Sequence, residues 1–175
     1  ISGSALEQFA LHAPEVIESF QKLAKTGCVE FLAETYAHSL ASLSDTDEFE
    51  RQVRRHVARM EELFGQKPVT LRNSSLIYSD QIGERVAAMG FESMLTDGAK
   101  HVLGWKSPNF VYTNVMNPRL KLLLKNSRLS DDLTLRFSDH SWHEWPLTAD
   151  KYARWLKDST RDREIVNLFM NYETF

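Results

Sequence analysis

The chain has 175 residues, 42% of them apolar and 26% charged, with 21 Lys and Arg against 24 Asp and Glu for a net charge of −3. This is an ordinary globular mixture, long enough to bury a core, so a disordered tail is excluded; with no basic block there is no evident surface for nucleic-acid phosphates. A single cysteine, Cys28, fits a reducing cytoplasmic compartment, and with no apolar run of bilayer length and no charged-then-apolar opening, neither a membrane segment nor a secretory signal is expected.

The chain opens at Ile1 without a methionine and stops at Phe175 directly after an apolar run, so it reads as a piece of a larger protein. The first helix spans Pro14 to Lys25, with Pro14 in its first turn, Val16, Ile17, Phe20 and Leu23 on one face, and Gly27 as its stop. Cys28 to Ala33 reads as a short buried strand. Asp45 and Glu48, spaced as a capping box, open a long helix reaching Phe64, with a seam of Phe49, Val53, Val57, Met60, Leu63 and Phe64 ended by Gly65 and Pro68. The order then repeats: a strand at Val69 to Arg72, a helix from Asp80 to Met89 closed by Gly90, and a strand at Phe91 to Leu95. Further strands are expected at Asn109 to Tyr112, Leu120 to Leu124 and Ile165 to Met170, with a helix from Ala149 to Lys157. Asp131 and Asp132 look like a helix N-terminus following Ser130. Strands alternating with helices imply parallel β/α units, as a barrel or an open doubly wound sheet, and in both the residues after each strand line the ligand site.

His140 and His143 lie three apart without a second pair of ligands, so no metal site is expected. No glycine-rich phosphate cradle exists, so no nucleotide cofactor is expected, and no GxSxG elbow surrounds Ser75. The residues after the strands say more: Glu34, Tyr36 and His38, then Asn73, Ser74 and Ser75, then Asp97, and last Asn171, Tyr172 and Glu173. Trp105, Trp142 and Trp145 fall in the loops. Aromatic faces beside amides and carboxylates suit a sugar, although helix capping and loop packing account for the same residue types.

Five segments carry a more specific signal. They are CVEFLAETYAHSL at Cys28 to Leu40, LRNSSLIYSD at Leu71 to Asp80, the stretch from Phe91 to Thr113, the stretch from Leu122 to Leu156, and NLFMNYETF at Asn167 to Phe175. Together and in this order they resemble the catalytic domain of glycoside hydrolase family 57, in particular its α-amylase subgroup. The resemblance implies that residues 1–175 are part of one α/β domain, a fragment of an incomplete seven-stranded, TIM-like β/α barrel whose N-terminal strands and C-terminal remainder lie outside this chain. It implies retaining cleavage of α-1,4-glucans, with no metal or organic cofactor, by one carboxylate that attacks and one that donates and later accepts a proton.

Both carboxylates are replaced. The family's RNTELIY stretch reads RNSSLIY, placing Ser75 at the nucleophile position, and its MDYETFGEH stretch reads MNYETF, placing Asn171 at the acid/base position. Serine needs a base to attack, and an amide has no proton acidic enough to give a leaving alcohol. Two replacements, one of them to serine, fit a natural α-amylase-like homologue with a disabled site, a pseudoenzyme that still binds an α-glucan or maltooligosaccharide. Glu173 or Asp97 standing in as carboxylate would make it an active hydrolase or 4-α-glucanotransferase, and a barrel module serving only a protein partner is the third reading. Substrate contacts implied by the resemblance are Glu30, with Glu34 as the competing register, together with His38, Arg72, Trp105 and Glu173. Oligomeric state is left open.

Overall fold

Caps set most of the helix starts. In the computed structural model, which describes residues 1–161 and 163–171, α1 (Gly3–His12) begins where the Ser2 hydroxyl accepts the Ala5 amide at 3.2 Å. Helix α2 (Pro14–Lys25) starts on Pro14, whose fixed φ suits a first turn and whose missing N–H is not needed there. Helix α3 (Thr46–Phe64) is capped by Asp45, which accepts the Glu48 amide at 3.0 Å, and ends on Gly65 at φ 65°, a left-handed turn that a glycine makes without strain. Only half of the capping box forms, because the Glu48 carboxylate bonds Arg51 and Gln52. Helix α4 (Asp80–Ala88) is capped by Ser79.

Four strands, β1 (Thr70–Arg72), β2 (Ser93–Asp97), β3 (Val111–Thr113) and β4 (Lys121–Lys125), form one sheet in the order β1-β2-β4-β3. Among the described residues the α/β fold has four strands in one sheet, and the expected strands at Cys28 to Ala33 and Ile165 to Met170 each reduce to a single bridge. No helix among them is long and apolar enough to cross a membrane. The chain divides into two compact units, Ile1–Leu95 with Thr113–Lys121, and Thr96–Tyr112 with Leu122–Phe175.

The first unit is built on an apolar seam shared by three helices. Leu6 of α1, Ile17 of α2, and Met60 and Phe64 of α3 bury together with Phe31, whose ring stacks on Phe64 with centroids 4.2 Å apart and meets Phe20 edge-on. Burying side chains of this size contributes about 1.5–3 kcal/mol each. Phe31 also explains why Cys28 to Ala33 is not a strand. Its amide bonds the Gln66 side chain, which in turn donates to the Val29 carbonyl, so side chains satisfy these main-chain groups. Only Ala33 pairs, through a parallel bridge to Leu71. Strands β1 and β2 run parallel with Leu71 opposite Met94, both fully buried.

The second unit contains α5 (Lys100–Leu103), α6 (Ser127–Thr134) and α7 (Ala149–Thr160). Helix α6 starts four residues earlier than its acidic pair suggested. Asn126 is the cap, accepting the Leu129 amide at 3.0 Å, so Asp131 and Asp132 lie inside the helix. There Asp131 pairs with Lys125, and Asp132, buried, with Arg136. The expected strand at Ile165 to Met170 reduces to one parallel bridge between Asn167 and Lys125.

Candidate functional site

In the first unit the candidate residues follow Ala33 and β1. A turn of 3-10 helix, Ser74–Leu76, leaves β1, and inside it Ser75 has φ 53° and ψ 23°, with Leu76 at φ 56°. These are left-handed conformations that cost a non-glycine residue about 1–3 kcal/mol and persist only where the surroundings impose them. The surroundings here are polar and buried. The Asn73 side chain accepts the Ser74 amide at 3.0 Å and donates to the Ser42 hydroxyl at 2.8 Å and the Ile77 carbonyl at 3.0 Å. The Ser74 hydroxyl meets Thr35 Oγ1 at 3.1 Å. The hydrogen bonds of the turn thus run through Asn73 and Ser74, and Ser75 is left exposed at its tip. Arg72, half-buried, precedes the turn at the end of β1.

The loop after Ala33 is pinned with equal care. Glu34 is buried, and its Oε2 lies 2.7 Å from Nδ1 of His38. His38 is itself left-handed at φ 53°. Behind Glu34 stands His56 of α3, fully buried. Its Nδ1 accepts the Glu34 amide at 3.4 Å and its Nε2 lies 2.8 Å from the Ile1 carbonyl, so the ring is neutral with its proton on Nε2. Burial holds its pKa below the usual histidine value, against the opposing Ile1 bond and the Glu34 charge. Sequence reading missed His56 because it sits among the apolar seam positions of α3; an ionisable residue on that face was the available signal.

Glu30 lies elsewhere. Its carboxylate accepts the Thr70 hydroxyl at 2.8 Å at the start of β1, and Thr70 also meets the Ser93 hydroxyl at 2.7 Å. It therefore sits at the opposite end of the strand from Ser75, whereas the competing register, Glu34, lies on the loop beyond Ala33 with His38 and Thr35.

In the second unit Asp97 ends β2, exposed, and accepts the Ser127 hydroxyl at 3.0 Å. A hollow of about 620 Å³ opens beside it. Its floor is an amide chain: the Asn126 side chain donates to Asn109 Oδ1, and Asn109 donates to the Ser159 carbonyl, each at 3.0 Å. Trp105, 93% exposed, follows Gly104 on the same loop. A second hollow of about 640 Å³ is lined by Trp142 and Trp155, edge-to-face at 6.0 Å, with Arg128, Arg136 and Glu144. Asn171 is exposed, and Glu173 lies outside the described residues. Among the described residues no three or more His, Cys, Asp and Glu are grouped so as to hold a metal ion.

The family model for glycosyl hydrolase family 57 matches residues 1–175. The chain belongs to that family. It is 44% identical over 176 residues to a Methanocaldococcus jannaschii protein named "Putative alpha-amylase", covering 100% of this chain and 37% of that protein. The chain thus spans little more than a third of the curated relative. Its fold is similar to that of the 4-α-glucanotransferase of Thermococcus litoralis, with a TM-score of 0.78 at 16% identity over 96% of this chain and 25% of that one. It is also similar to an α-amylase of Thermotoga maritima, with a TM-score of 0.57 at 16% identity over 73% and 26%.

Proposed function

We propose that the chain is part of an α-amylase-like family 57 protein that binds α-1,4-glucans, and that hydrolysis is lost because Ser75 and Asn171 stand where the two carboxylates belong. In this reading residues 1–175 form part of one incomplete β/α barrel of a cytoplasmic protein, and the ligand is a maltooligosaccharide. The observation that carries it is the Ser75 turn. An exposed side chain at the end of β1, held left-handed by buried neighbours, is a device for aiming a reacting group, and here the group aimed has no charge. Loss of one positioned acid–base or electrostatic group removes roughly 2–4 kcal/mol of transition-state stabilisation, and loss of both leaves no useful turnover. Glu34, His38 and Arg72 of the first unit supply hydroxyl contacts and Trp105 of the second a stacking face, and Glu34, the competing register, takes the role that the resemblance implied for Glu30.

The test uses the full-length protein. Calorimetry with maltoheptaose shows binding while a reducing-end assay shows no cleavage, and Ser75→Glu combined with Asn171→Asp restores amylase activity. Release of reducing ends by the unaltered protein overturns the reading. Should that occur, Asp97 is the substitute carboxylate among the described residues, since it is exposed and hydrogen-bonded at the end of β2, and Asp97→Asn and Glu173→Gln would identify which one acts. Absence of any glucan binding leaves the module that serves only a protein partner.

A further inference from the structure

We propose that the hollow beside Asp97 takes an anionic substituent, a phosphate monoester, on the glucose unit that the site receives. The proposal rests on the glucan-binding reading above and goes further by naming the ligand's charge. Some basic side chains are held in ion pairs: Arg51 with Glu48, Arg54 with Glu50, Arg55 with Glu7, Arg59 with Glu62, Lys125 with Asp131, Arg136 with Asp132 and Lys151 with Glu144. The hollow gathers cations that are not. Lys100, Lys106 and Arg128 line it, and among the described residues none of the three has a carboxylate partner. Asp97, the carboxylate in its wall, is turned to the Ser127 hydroxyl and keeps its charge, so the three cations outnumber it, and His101 adds a further ring to the rim.

A chain of net charge −3 thus sets two lysines and an arginine against the single carboxylate of Asp97 in one concave place. A concave cationic site raises the local concentration of anions and accelerates their capture. The floor favours a small polar ligand over a protein surface, since its amides are tied to one another and to α7 and so stay in place when a ligand leaves. Its volume of about 620 Å³ suits a sugar ring with one substituent. A flexible lysine ammonium recognises phosphate as a point charge, and an arginine recognises it through paired N–H donors.

The experiment compares maltoheptaose, the same oligosaccharide bearing a 6-phosphate, glucose 6-phosphate and inorganic phosphate by calorimetry on the full-length protein, at low and high ionic strength. The expected result is that the phosphorylated oligosaccharide binds about tenfold more tightly than the neutral one at low salt, an advantage that salt screening removes. The combined variant Lys100→Gln, Lys106→Gln and Arg128→Gln removes the difference between the two oligosaccharides. Tight binding of glucose 6-phosphate with none of neutral maltoheptaose supports the anion site with a free sugar phosphate as its source and overturns the glucan reading. Equal affinity for neutral and phosphorylated oligosaccharides overturns the anion site and leaves the glucan reading standing. No binding of any probe overturns both.

Discussion

The carboxylate of Glu34 holds the ring of His38 at 2.7 Å while the main-chain amide of the same glutamate points into the ring of His56 at 3.4 Å. One residue thus couples an exposed loop histidine to a helix core. Because Glu34 is buried, Glu34→Ala strips His38 of its partner and leaves a small void. The full-length variant should lose about 1–3 kcal/mol of stability in denaturant titrations and bind maltoheptaose more weakly.

His56 makes stability depend on pH. Its folded pKa lies below the unfolded value near 6.5, because burial disfavours the imidazolium. The unfolded chain therefore binds the proton first. The stability contribution is complete above about pH 6.5 and is lost as pH falls from there through the lowered folded pKa. The protonated ring would also turn a donor toward the Glu34 amide. Denaturation midpoints measured across this range should fall toward acid, and His56→Gln should flatten that slope relative to the unaltered protein.

Ser75 carries strain that a glycine would not. Ser75→Gly should stabilise the protein by about 0.5–1 kcal/mol, since relief of the left-handed penalty is partly offset by the freer unfolded glycine. Ser75→Val, branched at Cβ, should destabilise it. Ser75→Glu should leave the melting temperature nearly unchanged, because the side chain is exposed and the backbone penalty is already present.

Asn73 is fully buried and serves three partners. Replacing it by alanine leaves the Ile77 carbonyl, the Ser42 hydroxyl and the Ser74 amide short of bonds. The expected cost is about 2–3 kcal/mol, together with loss of whatever activity Ser75→Glu and Asn171→Asp restore, since the turn would no longer be held.

The helices were legible where local chemistry decides them. Pro14, the Asp45 cap and the Gly65 stop place α2 and α3 with their ends as read, and Ser79 and Gly90 bracket α4. Four of the six expected strands lie within about two residues of where they were read, but those at Cys28 to Ala33 and Ile165 to Met170 reduce to single bridges, because pairing depends on partners distant in sequence. Phe31 shows the reason: an apolar run fits a strand and a core anchor equally well, and only the stacked ring of Phe64 decides. Helix α1 was missed because its face is thin, with Leu6 its only fully buried large side chain. The start of α6 was misjudged because an acidic pair inside a helix, answered by Lys125 and Arg136, looks the same in sequence as one at its start. For the candidate site, residue identities at Ser75 and His38 were readable, whereas their left-handed backbones were not, since neither is a residue type that calls for one.

Ala33 is fastened to β1 on both sides, its amide to the Thr70 carbonyl at 2.9 Å and its carbonyl to the Arg72 amide at 2.8 Å. Lifting this segment means breaking both clasps at once, so the loops bearing His38 and Ser75 are hinged on a common root. In deuterated solvent the amides of Ala33 and Arg72 should wash out together, and slowly.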